Sequence, residues 1–209
     1  MKKLSVRAIS VALTILSVTS CGASDGDSGH AKGNSKVDMQ GAADEADKLI
    51  YGTLSAVKPP LEWTHDTSDD GSCDGGSSGY GDVTRRAVVM TKVSEARRGA
   101  LISVIERYWK KSGHKITDTN SDKEFPEVYA KTGDGLLKMS LIVGGEGQFF
   151  LDVQTACVKK SDVTPPSTKA NGTSYYGKEI PRPNANDAFW SSNAPITSST
   201  ESPTAQPGS

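Results

Sequence analysis

Two short runs carry the residue types of covalent hydrolysis. Gly75-Gly76-Ser77-Ser78-Gly79 matches the GxSxG pattern, in which a strand-to-helix turn lifts a serine nucleophile above a sheet. Ser112-Gly113-His114-Lys115 matches SxxK, which needs serine and lysine one turn apart at a helix start. Neither has that setting. The first lies in a Gly/Ser loop with no strand leading into it, and the second falls where Gly113 should end a helix. Two acidic runs brush against a calcium loop. One, from Asp66, has Ser68 third and Ser77 twelfth, where a bidentate glutamate belongs. The other, from Asp118, has Lys123 where glycine belongs and Tyr129 where glutamate belongs. Solvated turns are the expectation for both. His30, His65 and His114 are scattered, and no two stand at ligand spacing. No catalytic residue, metal ligand or cofactor is expected, and the chain is not expected to be an enzyme.

The chemistry that the N-terminus implies is of another kind. Lys2, Lys3 and Arg7 precede an uncharged stretch rich in Ile9, Val11, Leu13, Ile15, Leu16 and Val18. A basic start and a short apolar run read as a secretory signal. The run is too short for a membrane span, which needs about 20 residues. Val18-Thr19-Ser20-Cys21-Gly22 then resembles the bacterial lipobox. That resemblance implies cleavage before Cys21 and a diacylglyceryl group on its thiol. Two acyl chains make a stable anchor. The expected place is the extracytoplasmic face of the cell membrane, reached through lipid on Cys21.

Charge and cysteine usage bound the rest. Loss of residues 1–20 removes Lys2, Lys3 and Arg7 from 24 basic side chains and none of 25 acidic ones, leaving a net charge of about −4. No nucleic-acid partner is expected, since such proteins usually present a basic stripe. Cys73 and Cys157 remain. In an exported chain the simplest pairing is one disulfide between them. The alternative, two free or metal-binding thiols, lacks CxxC spacing and a nearby histidine.

The elements follow from patterning. Residues 21–41 are Gly, Ser, Asp and Asn-rich and read as a flexible tether. Residues 42–57 place Ala46, Leu49, Ile50, Leu54 and Val57 at helical spacing, and Pro59 and Pro60 end that helix. Residues 58–84 read as a long loop. A strand is expected over 86–92. A second helix is expected from Ser94 to about Ser112, with Leu101, Val104, Ile105, Tyr108 and Trp109 on its apolar face. Strands are expected over 115–119, 127–132, 136–143 and 148–158, the last two alternating clearly. Gly133-Asp134-Gly135 and Gly144-Gly145-Glu146-Gly147 read as hairpin loops. From residue 159 to 209 Pro, Ser and Thr dominate, predicting a largely disordered tail in which Tyr175, Tyr176, Ile180, Phe189 and Trp190 dock locally at most. The expected fold of residues 42–158 is α+β: an antiparallel sheet of four to five strands, one long helix on a face, and an N-terminal helix.

This order resembles the small lipoproteins of actinobacteria, and in particular is similar to the LppA-like family. The likeness rests on Trp63, on Cys73 in Gly-Ser-Cys-Asp-Gly-Gly, and on Cys157 ending the last strand. It implies no activity and no catalytic residues. Two functions remain as expectations. One is an interaction or binding module for an envelope protein. The other is a carrier or sensor of a small apolar ligand, held between helix and sheet by Met139, Phe149, Leu151 and Trp109.

Overall fold

The computed structural model describes residues 36–73 and 78–196, with the backbone of Thr204 and Ala205. Cys21, His30, Gly75, Gly76 and Ser77 lie outside the described residues, as do the signal and nearly all of the tether.

In chain order the elements are α1 (Met39–Ser55), β1 (Val57–Lys58), β2 (Trp63–His65), β3 (Asp69–Ser72), β4 (Tyr80–Val89), α2 (Glu95–Lys111), β5 (Lys115–Asn120), β6 (Glu127–Lys131), β7 (Leu137–Val143), β8 (Phe149–Thr155), β9 (Val158–Lys159) and β10 (Thr204–Ala205). Helix α1 begins where the Asp38 carboxylate accepts from the Gly41 N–H at 2.9 Å, satisfying a free amide of the first turn. Its buried stripe, Met39, Ala42, Ala43, Ala46, Ile50 and Leu54, repeats at helical spacing. The alanines let α1 lie close on β4 and β8. Val57, expected at the end of this helix, instead pairs with Ala205 of β10.

Helix α2 buries Leu101, Val104, Ile105 and Trp109 as its spacing predicts. Trp109 Nε1 donates to Thr53 Oγ1 at 3.0 Å and joins the two helices. Gly113 ends α2 at φ +81°. Its N–H reaches the Lys110 carbonyl at 3.1 Å and that of His114 reaches Trp109 at 2.9 Å, the two bonds of a Schellman cap. Ser94 sits at the N-cap position without capping; its hydroxyl donates to the Ser192 carbonyl at 2.6 Å. Arg97 is buried as well, its guanidinium 4.6 Å from the Phe189 ring centre.

One eight-stranded antiparallel sheet runs β2-β4-β8-β7-β6-β5. β3 continues the β2 side of β4, and β9 continues the β8 side. Ala87, Leu151, Leu141 and Val128 stand opposite one another on adjacent strands, as do Arg85, Val153, Met139 and Ala130. These two rows are buried and form the floor beneath both helices. The expected four to five strands are too few, because β2 and β3 lie inside what reads as a loop. β3 is Asp-Asp-Gly-Ser, wholly exposed, and is held by backbone pairing to β4 rather than by apolar alternation. β4 also starts at Tyr80, well before the expected residue 86. There Gly81 is required, since a Cβ would fall 2.2 Å from the Gly71 carbonyl oxygen.

Cys73 and Cys157 form a disulfide, with Cα atoms 5.9 Å apart. It ties the end of β3 to the link between β8 and β9. The 84-residue separation gives roughly 4 to 5 kcal/mol on the chain-entropy model.

The tail expectation is overturned as far as residue 196. The segment after β9 straps the domain edge. Gln40 N–H donates to Ser161 Oγ at 2.9 Å, Trp63 N–H to Asn171 Oδ1 at 3.2 Å, and the N–H groups of Asn184 and Ala185 to the Met90 carbonyl at 3.0 Å. Trp190 is fully buried and its Nε1 donates to the Pro59 carbonyl at 2.8 Å. Hydrogen bonds spread along the strap, with one large apolar anchor, replace the apolar periodicity that sequence patterning looks for.

Candidate functional site

With α1 and α2 on one face, strand alternation turns a second set of side chains to the other. Three rows cross that face, which the helices leave open; only at its Val88 end is it buried, where the strap reaches the neighbouring Thr64. The first runs Val88, Phe150, Ile142 and Glu127; the second Arg86, Asp152, Ser140 and Tyr129; the third Thr84, Gln154, Lys138 and Lys131. A groove of about 500 Å³ lies among them, lined by Thr67, Asp69, Thr84, Arg86, Tyr129, Lys138, Ser140, Asp152 and Gln154. Arg86 grips Asp152 through two bonds, Nε to Oδ1 at 2.6 Å and Nη2 to Oδ2 at 2.7 Å. That hydrogen bonding holds the Arg86 pKa above its ordinary value against the cost of partial burial. Its guanidinium lies 5.5 Å from the Phe150 ring centre. Gln154 donates to Asp82 at 3.0 Å and the Tyr129 hydroxyl to Glu127 at 3.1 Å. The surface is a preformed polar lattice, held by side chains whose strands are fixed in register. It is built to make hydrogen bonds, and its mixed charges suit a polar partner.

A second polar cluster lies at the β2 edge beneath the strap. Asp47 of α1 and Arg85 of β4 are both buried, with Oδ1 and Nε 3.1 Å apart. They are an ion pair without hydrogen-bond alignment, since neither atom has a hydrogen-bond partner. Asp47 Oδ2 accepts from the Ser167 N–H at 2.8 Å and hydroxyl at 3.2 Å. Arg85 donates to the Ser68 hydroxyl and to the Thr164 carbonyl, the latter at 2.8 Å. His65 Nε2 donates to the Thr168 carbonyl at 2.9 Å, which fixes that tautomer. Its Nδ1 is buried and unpartnered. Burial pushes the His65 pKa below its ordinary value, the Asp47 charge and the Thr168 bond opposing, with Arg85 adding to the fall. An opening of about 390 Å³ lies beside His65, walled by strap residues from Pro165 to Tyr176. These ties serve the strap: Asp47, Arg85 and His65 Nε2 each hold one of its backbone groups.

The residues singled out from sequence fall elsewhere. Ser78 and Gly79 lead into strand β4, not into the helix that a nucleophile elbow requires. Ser112 ends α2 and Lys115 opens β5, so they do not share a helical turn. In the run from Asp118, Asn120 Oδ1 accepts from the Asp122 N–H at 3.0 Å, and Asp122 Oδ1 accepts from Glu124 and Phe125 at 2.8 and 2.7 Å. Those side chains shape the hairpin turn. Among the described residues no group of three or more His, Cys, Asp and Glu could hold a metal. Met139, Phe149, Leu151 and Trp109, expected to line an apolar pocket, are packed in the core cluster. Sequence patterning missed Asp47 and Arg85. The available signal was a charged residue at a buried phase: Asp47 beside Ala46 on the α1 stripe, Arg85 between Val83 and Ala87 on the inner side of β4.

Among the described residues no helix is long and apolar enough to cross a membrane. No protein-family model matches this chain, and no curated protein sequence matches it.

Proposed function

We propose that this protein is a lipoprotein, held at the extracytoplasmic face of the cell membrane by acyl chains on Cys21, and that its domain is a binding module for an envelope protein. The anchoring half is supported by the basic start, the short apolar run and the small residues before Cys21. The LppA-like resemblance agrees with it, and the Cys73–Cys157 disulfide suits an oxidising compartment. The observation that carries the binding half is the placement of both helices against one face of the sheet, which leaves the ordered polar rows of the other face uncovered. The mixed charges of the groove favour a protein surface over an apolar small molecule. The residues suggested for an apolar site are part of the core.

The test is in-cell photo-crosslinking of the full-length protein. A crosslinking residue replaces Gln154 on the open face or, as control, Arg107, exposed on α2. A discrete protein adduct from position 154 and none from 107 is expected. Equal, diffuse labelling from both positions would remove the binding module. Intact mass of the membrane-extracted protein tests the anchor: an N-terminus at unmodified Cys21, or an uncleaved chain, rules it out.

A further inference from the structure

We propose that the lysine row at one end of the open face receives an acidic segment of the partner protein, laid across β5, β6 and β7. The inference rests on the reading of this face as the binding surface and names the chemistry it selects. Lys115 stands opposite Lys131, and Lys131 stands opposite Lys138. Three cations therefore share one face on three adjacent strands, about 5 Å apart at Cβ. Like charges directly opposite each other destabilise a sheet. Among the described residues none of the three makes an ion pair.

The nearby carboxylates are engaged elsewhere. Asp134 accepts from the Thr132 hydroxyl and the Leu136 N–H, at 2.6 and 3.0 Å. Asp118 accepts from the Thr119 N–H at 2.8 Å, Glu127 from Tyr129, and Asp152 from Arg86. Beyond Lys138 the row continues through Gln154 and Thr84 to Asp69. It is thus cationic at one end, neutral in the middle and anionic at the other, so it also orients what lies on it. A helix face with carboxylates one turn apart, about 5 to 6 Å between Cβ atoms, matches the lysine spacing. A flat anionic bilayer fits worse, because it would also meet Asp69, Asp82, Asp118 and Asp152 on the same side.

The probe is a fluorescein-labelled hexaglutamate peptide, titrated with full-length protein at low ionic strength and read by anisotropy. Saturable binding that weakens with added salt is expected. The triple variant Lys115→Gln, Lys131→Gln, Lys138→Gln should lose about tenfold in affinity or more, the sum of three exposed ion contacts. The helix-side triple Lys48→Gln, Lys110→Gln, Lys111→Gln should change it less than about twofold. The first triple should also melt no lower than wild type, since it removes repulsion. Equal losses in both triples would overturn the proposal, and so would a lower melting temperature, which would make the lysines structural. Row-dependent binding to phosphatidylglycerol vesicles without hexaglutamate binding would reassign the row to lipid. If hexaglutamate fails while the Gln154 crosslink persists, only this inference falls, and the binding surface stands.

Discussion

Arg85 and Arg86 are adjacent on β4 and face opposite sides of the sheet. Arg85 is 1 % exposed and stands 3.1 Å from Asp47, itself 0 % exposed. Arg86 is 41 % exposed and grips Asp152 through two short bonds. By geometry the outer pair is the better one. By energy the order reverses. If Asp152 is removed, water solvates Arg86, and exposed pairs contribute about 0 to 1 kcal/mol. If Asp47 is removed, Arg85 is left charged in the interior, and such losses cost about 3 to 5 kcal/mol. The inner cluster therefore reads as architecture that binds the strap to the body, and the outer lattice as surface that can exchange partners cheaply.

The sharpest way to break this contrast is to remove one partner on each side. Arg85→Met should destabilise the protein by about 3 to 5 kcal/mol, because Asp47 is then buried unpaired. Asp47→Leu combined with Arg85→Met should recover most of that loss. Urea unfolding of both variants measures it, and an Arg85→Met cost no larger than that of Arg86→Met would erase the distinction. A second cut is at the strap itself. Trp190→Ala should cost about 3 kcal/mol, near the lower end for a buried aromatic because hydrogen bonds still hold the segment. Limited proteolysis should then open residues 160–196 first, whereas wild type resists there. Cleavage no faster than in wild type would show that the ring does not secure the strap.

How much of this was legible depended on periodicity. The strands with apolar alternation, β7 and β8, and the stripe of α2 stand where patterning puts them. β3 was illegible because four exposed residues of low strand propensity give no alternation, and only pairing with β4 makes them a strand. The strap was illegible for the same reason: its order comes from partners about a hundred residues away in sequence, such as Lys92 for Ser191 and Met90 for Ala185. The disulfide was legible as the simplest pairing of two cysteines. The lysine row was not, because Lys115, Lys131 and Lys138 become neighbours only once register is known. Asp47 and Arg85 were visible as charges on buried phases, a conflict that only their mutual contact resolves.

A smaller effect should separate the two regions by pH. His65 belongs to the inner cluster, facing Asp47 of α1, Arg85 of β4 and the Thr168 carbonyl of the strap. Its folded pKa lies below the ordinary 6.5. A neutral group favoured by folding contributes stability that is present above the unfolded pKa. That stability is lost as pH falls from about 6.5 through the folded value. Protonation also places an N–H at Nδ1, where no acceptor stands. Melting temperature should fall from pH 7 to pH 5, with His65→Phe flattening the slope although it is less stable at neutral pH. His114, whose pKa is also lowered by burial, contributes in the same direction. His114→Gln should therefore remove part of the remaining slope. A slope unchanged by His65→Phe would detach the imidazole from the strap's stability.

The smallest expected effect is on the outer side, and it decides whether the open face is structural. A double-mutant cycle on Arg86→Gln and Asp152→Asn should give a coupling of about 0.2 to 1 kcal/mol, the range for exposed pairs. Added salt should reduce it, since the pair is reached by water and screened within about 10 Å at 0.1 M. The same two substitutions should nonetheless alter crosslinking from position 154, because Arg86, Asp152 and Gln154 line one groove. Small coupling with altered crosslinking would assign the pair to recognition. A coupling above about 2 kcal/mol would place it with the buried charges as architecture. The uncovered face would then be a second structural seam, and its side chains would be fixed by the fold rather than available to a partner.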